Sequence, residues 1–341
     1  MQIAVVGLGL IGGSIALALK SVGHFIIGVE TNPEFVAYAQ KSKMVDSVST
    51  LEELPKFSPE VTFICVSLEN TRAVAEKVYE ILGDSTIITD VASVKSVMNG
   101  ICGRVVGGHP MAGTENSGIY ASKEHLFENA FYVIVPYENT RQTDIDIVNE
   151  LILQLKAKPI FMSESEHDER VSKISHLPHI ISYALSSYAL GCDGFVGSGF
   201  MDTTRISASS PEFWTKIALL NRKNLLNDAK NYREVFNEII SAIEKADEDK
   251  LYQMLLDGQT KRKKIAYERL YLSEYEFTVD LKDEVGSLLS VIERLTSAKV
   301  NISGIQIVNS REGVGGALKL SVKSERDYEK AKEIFSFDDR R

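Results

Sequence analysis

The first twenty residues constrain the fold of this chain more than any other stretch. Gln2 to Leu19 reads QIAVVGLGLIGGSIALAL. An apolar run, Ile3 to Val6, leads into Gly7, Gly9 and Gly12, and small and apolar residues follow at helical spacing. This is G-x-G-x-x-G between a strand and a helix, the context that gives the pattern physical meaning. Gly7 permits a tight turn, Gly9 removes the Cβ that would block a pyrophosphate, and Gly12 lets the helix lie close to the strand. The free amides at the helix start favour phosphate oxygens, so Leu10 and Ile11 join the same cradle. A second strand, Phe25 to Val29, ends at Glu30. A carboxylate there binds ribose hydroxyls and repels a 2′-phosphate. These features predict a dinucleotide site for NAD rather than NADP.

The alternation continues. Val61 to Leu68, Ser85 to Ser93 and Ala130 to Pro136 read as buried strands, with helical stretches such as Thr71 to Leu82 between them. Apolar strands separated by helices predict an α/β fold with a Rossmann-type doubly wound parallel sheet. Ligands in such sheets lie at the carboxyl ends of the strands. Ser67, Asp90, Ser93 and Lys95 fall just after strand ends, and Ser67 and Asp90 are candidate cofactor contacts. Capping and a surface ion pair are the plain alternatives for Asp90 and Lys95. Gly107 to Gly118 reads GGHPMAGTENSG. Short residues around His109 let the backbone turn sharply and approach a ligand. A histidine held there can serve as a general base near neutral pH. Its plain alternative is a hydrogen-bonded histidine in a glycine-rich loop.

Composition narrows the class. The 341 residues suffice for two or three domains. A net charge of −9 argues against nucleic acid, which calls for a basic face. Three scattered cysteines, Cys65, Cys102 and Cys192, make neither a disulfide framework nor a zinc site. No basic leader precedes an unbroken apolar run, and no apolar stretch is long enough to cross a bilayer. A cytoplasmic protein without membrane partners is expected.

Three domains are expected: 1–162 binding the dinucleotide, 163–272 all-helical, and 273–341 a small α+β module. The second domain holds His167, His176 and His179. His176 and His179 share a helix face, whereas His167 falls half a turn away on an unbroken helix. No cysteine or carboxylate pair completes a ligand set, so no metal is expected. Further on stand Arg205, which can grip a carboxylate in bidentate fashion or pair with Asp202, and Trp214. Ser210 before Pro211 predicts a helix start. Asn224 to Tyr271 reads as long amphipathic helix, the kind of domain that dimerises. The third domain reads strand, helix, strand, strand, helix, with Gly286 opening the first helix and Arg311 to Gly316 as a hairpin turn. That order resembles a ferredoxin-like module.

The motifs GLGLIGGS, TDVASVK, GGHPMAGTENSG, HDERVSKISHLPH and TTRISASSPEFW, spread from Gly7 to Trp214, make the chain resemble prephenate dehydrogenases of the TyrA type with a C-terminal ACT-like domain. Val285 stands where the ACT pattern has proline. The resemblance implies NAD-dependent oxidative decarboxylation of prephenate to 4-hydroxyphenylpyruvate, a step in tyrosine biosynthesis. It implies a catalytic pair, His109 as base and Ser93 orienting it. His179 and Arg205 hold the substrate, Thr114 and Glu115 stand at the entrance, and Trp214 lies near the pocket. It also implies a homodimer and a possible tyrosine effector. Arogenate dehydrogenase is the alternative activity; a β-hydroxyacid dehydrogenase, or an amino-acid sensor on a redundant nucleotide fold, fits the SHLPH pattern less well.

Overall fold

A computed structural model describes residues 1–112, 117–189, 191, 196–271, 275–281, 284–311, 315–322 and 324–335. The apolar, β-branched run at the N-terminus forms β1 (Gln2–Val6), buried on both faces from Ile3 onward. Then follow α1 (Leu10–Ser21), β2 (Phe25–Val29) and α2 (Pro33–Lys41). Asn32 starts α2 by accepting from the Glu34 amide, with Pro33 in the first turn. Next come β3 (Ser47–Ser49), β4 (Val61–Ile64), α3 (Leu68–Leu82), β5 (Ile87–Asp90), β6 (Arg104–Pro110), β7 (Phe131–Pro136), α4 (Gln142–Gln154) and β8 (Lys158–Phe161). The strands form one sheet in the order β3-β2-β1-β4-β5-β6-β7-β8. Helices cover both faces, with apolar cores around Phe63, Tyr132 and Leu19 on one and Ile64, Ile88 and Val78 on the other.

The sheet departs from an all-parallel one at a single junction. β6 and β7 run antiparallel, with His109 opposite Val133. The described part of the connection, 111–130, holds a short 3-10 turn (Ile119–Ala121) and no crossover helix. A parallel return requires a crossover, so the chain re-enters at the end it left. The sequence expectation of a turn at Gly107 and Gly108 is also corrected: both lie within β6. They are glycine because of contact. A Cβ on Gly108 would stand 2.4 Å from the Asp90 carbonyl oxygen, and one on Gly107 would stand 2.8 Å from the Tyr137 hydroxyl.

After the sheet come α5 (Glu164–Val171), a π-helical turn (Ser172–His176), α6 (Leu177–Tyr188), α7 (Ser198–Thr204), α8 (Pro211–Leu220) and α9 (Arg222–Glu244). Ser163 caps α5 through the Glu166 amide, and Ser210 caps α8 through the Phe213 amide, the latter as the sequence predicts. The long helix expected over Asn224 to Tyr271 is two helices. Ala246 takes a left-handed φ of 48°, and Asp247 accepts from the Lys250 amide to start α10 (Glu248–Tyr271). No helix among the described residues is long and apolar enough to cross a membrane.

The chain divides into two compact units, Met1–Glu234 and Val235–Arg341. In the second, β9 (Tyr275–Leu281), α11 (Ser287–Ser297), β10 (Ile302–Arg311), β11 (Gly315–Val322) and α12 (Glu325–Phe335) follow the expected order. The sheet order is β10-β11-β9, antiparallel throughout. Alternate residues Leu318, Leu320 and Val322 meet Val291 and Leu295 of α11 and Ala331 of α12 in a core of their own. Gly286 enters α11 at φ 89°. The tip of the expected hairpin, 312–314, lies outside the described residues.

The glycine fingerprint yields a paired prediction. A Cβ on Gly12 would lie 1.9 Å from the Gly7 carbonyl oxygen, whereas one on Gly9 would meet nothing within 4 Å. Gly12→Ala is expected to cost about 1–3 kcal/mol in urea unfolding. Gly9→Ala is expected to leave the unfolding midpoint nearly unchanged and to weaken dinucleotide binding in titration calorimetry.

Candidate active site

His109 stands where β6 outruns its neighbour. β5 pairs with β6 only over Arg104, Val105 and Val106. Beyond that, two side chains take the place of the missing strand at Gly108. The Gly108 amide donates to Asp90 Oδ1 at 3.2 Å, and Lys95 Nζ donates to the Gly108 carbonyl oxygen. Lys95 also pairs with Asp90 Oδ2, which accepts from the Ala92 amide at 2.9 Å. Asp90 and Lys95 are wholly buried. Burial lowers the Lys95 pKa, and Asp90 opposes that shift. The expected surface pair is thus a core pair. Asp90, expected to touch cofactor, is enclosed and committed to Lys95, Ala92 and Gly108.

The Nδ1 atom of His109 lies 2.8 Å from His167 Nε2, and His167 Nδ1 lies 2.8 Å from Asp168 Oδ1. Asp168 is held by the Lys95 amide at 2.8 Å and the Ser96 amide at 3.1 Å. Burial pulls the Asp168 carboxyl up, but its hydrogen bonds from His167, Lys95 and Ser96 hold it below the usual range. An ionised carboxylate only accepts. His167 therefore carries its proton on Nδ1 and accepts at Nε2. His109 must donate from Nδ1, and its Nε2 lone pair stays open. Burial, with His167, Lys95 and His176 nearby, keeps the His109 pKa well below its ordinary value. Ser93, expected to orient His109, sits half-buried on the loop after β5 and makes no hydrogen bond among the described residues; His167 holds the ring's Nδ1 instead.

Sequence reasoning set His167 aside because it assumed an unbroken helix. Pro178 lacks the N–H that would continue the ladder, and the turn before it widens to π geometry. The changed phase brings His167 within electrostatic reach of His176. Asn221 then bridges the Asp168 carbonyl at 2.7 Å and His176 Nδ1 at 3.2 Å. Burial lowers the His176 pKa to about 4. His179 donates from Nδ1 to the Ser175 carbonyl at 2.9 Å, leaving Nε2 for a ligand, and stacks on Trp214 with ring centroids 3.4 Å apart. Burial lowers the His179 pKa, and Arg205 adds to that. Arg205 is exposed. Trp214 packs with Leu68, Ala92, Val94 and Ile217, so it joins the helices to the loop carrying Ser93. Thr114 and Glu115 lie outside the described residues. Among the described residues no cluster could hold a metal ion.

The dinucleotide cradle matches the glycine reading. Gly7 turns at φ 93°, and the space over Gly9 is open. Leu10 and Ile11 begin α1 there, and Ser67 immediately precedes α3 on the loop after β4, with its hydroxyl accepting from Asn70 Nδ2 at 2.9 Å. Glu30 ties the loop together: Oε2 accepts from the Leu8 amide at 2.8 Å, and Oε1 from the Thr31 and Asn32 amides. Carboxylate lone pairs remain for ribose hydroxyls. The residues that follow, Thr31 to Glu34, include no base to meet a 2′-phosphate. These residues fit NAD.

Two family models cover most of the chain: "Prephenate dehydrogenase, nucleotide-binding domain" over residues 15–161 and "Prephenate dehydrogenase, dimerization domain" over residues 163–257. A prephenate dehydrogenase of Bacillus subtilis is 32% identical, with 97% of this chain and 94% of that protein covered. The arogenate dehydrogenase of Synechocystis superposes with a TM-score of 0.71 at 32% identity, over 78% of this chain and 100% of that one. A prephenate dehydrogenase of A. aeolicus, solved with hydroxyphenyl propionate and NAD+, gives 0.71 at 28% identity, over 78% and 98%.

The buried histidines make stability depend on pH. Each is held neutral in the fold, whereas in the unfolded chain it protonates below about 6.5. A base with a depressed folded pKa contributes fully above the unfolded value, and that contribution is lost as pH falls toward the folded value. For His176 the window runs from about 6.5 down to about 4. Urea midpoints are expected to fall across it, and His176→Asn is expected to flatten the slope measured between pH 7 and pH 4.5.

Proposed function

The chain belongs to the prephenate dehydrogenase family, and from that premise we propose that it catalyses the NAD-dependent oxidative decarboxylation of prephenate to 4-hydroxyphenylpyruvate. The observation that carries this reading is the open Nε2 of His109, held by a fixed hydrogen-bond chain in a fold with an NAD cradle. Oxidation at the ring C4 turns a carbinol into a carbonyl, so the hydroxyl proton must leave, and His109 Nε2 takes it. NAD, when bound, supplies the acceptor for the C4 hydride. The ring carboxylate leaves as carbon dioxide, and its bonding pair completes an aromatic ring. The ring oxygen takes the proton back from His109, which ends neutral as it began. No strong acid is needed, because aromaticity drives the loss of carbon dioxide.

The remaining residues fall into binding roles. Arg205 grips a substrate carboxylate, with His179 Nε2 beside it and Trp214 as an aromatic wall. Ser93 stays near the reacting hydroxyl, and Thr114 and Glu115 guard the entrance. The expected boundaries, 1–162, 163–272 and 273–341, separate cofactor binding, the helical domain and an ACT-like module, with tyrosine a candidate effector of the enzyme. Its β-α-β-β-α order and the left-handed Gly286 support that reading. The enzyme is a homodimer through the helices: the dimerization model matches 163–257, and α8 and α9 expose Leu219 and Leu226 at 65% and 58%. Static light scattering is expected to give twice the chain mass, and a monomer would count against it. Arogenate is a second candidate substrate, favoured by the 32% identity to the Synechocystis enzyme.

Following NADH absorbance with prephenate and arogenate, each with NAD and NADP, tests the assignment. Turnover is expected with prephenate and NAD; no turnover in any combination would remove it. His109→Asn is expected to lower kcat by about 10²–10⁴-fold with NAD affinity retained. Arg205→Gln is expected mainly to raise KM for prephenate.

A further inference from the structure

We propose that His167 and Asp168 are positioning residues for the His109 base, selecting which of its nitrogens is free and taking up the charge it acquires. The inference rests on the reading of His109 as the proton acceptor. The geometry is a chain of two contacts, each 2.8 Å: His109 Nδ1 to His167 Nε2, and His167 Nδ1 to Asp168 Oδ1. Each link has one consistent assignment. Asp168 receives the Lys95 and Ser96 amides as well, so three donors converge on it, and an ionised carboxylate satisfies them all. A proton on His167 Nε2 would leave the Nδ1 lone pair facing the Asp168 carboxylate, with no proton between two acceptors. Asp168 thus dictates the tautomer of His167, and His167 dictates that of His109.

The same chain handles the charge. The groups facing His109 are His167 and His176 from the helices and Lys95 from the loop after β5. Lys95 is matched by Asp90. Asp168 is the carboxylate left to offset an imidazolium at His109, and it acts through the His167 ring. His167 is fully buried and Asp168 nearly so, where screening by water is weak. Asp168 also fixes the start of the 3-10 turn Lys95–Met98 and so holds the loop that carries Ser93. One carboxylate therefore sets the base and the loop beside it.

The test is kinetic and spectroscopic. His167→Phe removes the acceptor: kcat is expected to fall about 10²-fold or more, with KM for NAD within about threefold. A neutral His167 accepts from the protonated His109 ring and links it to Asp168, so with phenylalanine there the protonated base is less stable and the acid limb of kcat is expected to move to lower pH by about one unit. His167→Gln keeps the polar ring's reach, and its Oε1 can accept from His109 Nδ1. It is expected to recover at least about tenfold of kcat while keeping the displaced limb, because the amide does not connect charge to Asp168. A purely structural role predicts the opposite split, lost protein and an unmoved limb. Separately, ¹⁵N spectra of histidine-labelled protein are expected to show His109 protonated at Nδ1 in the wild type, with that preference lost in His167→Phe. This readout needs no turnover. Wild-type protein with this tautomer but no activity on prephenate or arogenate would overturn the functional reading and support only the selection of the His109 tautomer by His167 and Asp168. A proton on His109 Nε2 in the wild type, or a plateau kcat and acid limb unchanged in His167→Phe, would overturn the positioning one.

Discussion

The Asp90–Lys95 pair in the core of the first unit is the interaction on which the site depends. It stands at the carboxyl end of β5, where β6 runs on beyond its last β5 partner. Asp90 accepts from the amide of Gly108 and Lys95 donates to its carbonyl, so the pair continues the sheet with side chains. Removing one member of a buried pair leaves an uncompensated charge, at about 3–5 kcal/mol. Lys95 has a second connection. Its backbone amide donates to Asp168, which holds His167, which holds His109, the residue after Gly108. The contacts close into a ring through Asp90, Lys95, Asp168, His167, His109 and Gly108. A displacement anywhere in that ring moves His109.

The ring explains why the glycines beside His109 have no side chains. A Cβ on Gly108 would collide with the Asp90 carbonyl oxygen, which would push β6 away from the pair that anchors it. It also explains how a site rich in histidine is kept neutral. Burial lowers the pKa of His109, His167, His176 and His179 in turn, and each has a hydrogen-bonding partner that assigns its proton. Desolvation favours the neutral ring at each. The polar contacts then decide direction. His179 lies on the more exposed side, stacked on Trp214.

Parts of this were legible in the chain because they rest on local rules. The Gly7, Gly9 and Gly12 spacing follows from sterics within a few residues, and the structure supplies a different reason at each: a φ of 93°, an open cradle and a packing contact. The cap at Ser210 is equally local. The order of elements in the C-terminal module follows from alternation of apolar residues. Where reading failed, a distant partner had overridden a local cue. GGHP looks like a turn because glycine and proline usually punctuate, yet it is a strand made narrow by Asp90 and Tyr137. Asp90 and Lys95 look like surface charges five residues apart, and only packing shows them to be enclosed.

The sequence by itself determined a Rossmann-type unit with an acidic end to its second strand, a helical segment holding three histidines, and a small α+β module. These follow from periodicity and glycine sterics, which act over one or two elements. Only the tertiary structure decided that β7 runs antiparallel, that a proline opens a π turn, and that His167 rather than Ser93 holds His109. Contacts such as His109 to His167, 58 residues apart, depend on how elements stack. A hydrogen-bond tautomer is a property of the whole chain of partners, and no single residue's neighbours in sequence specify it.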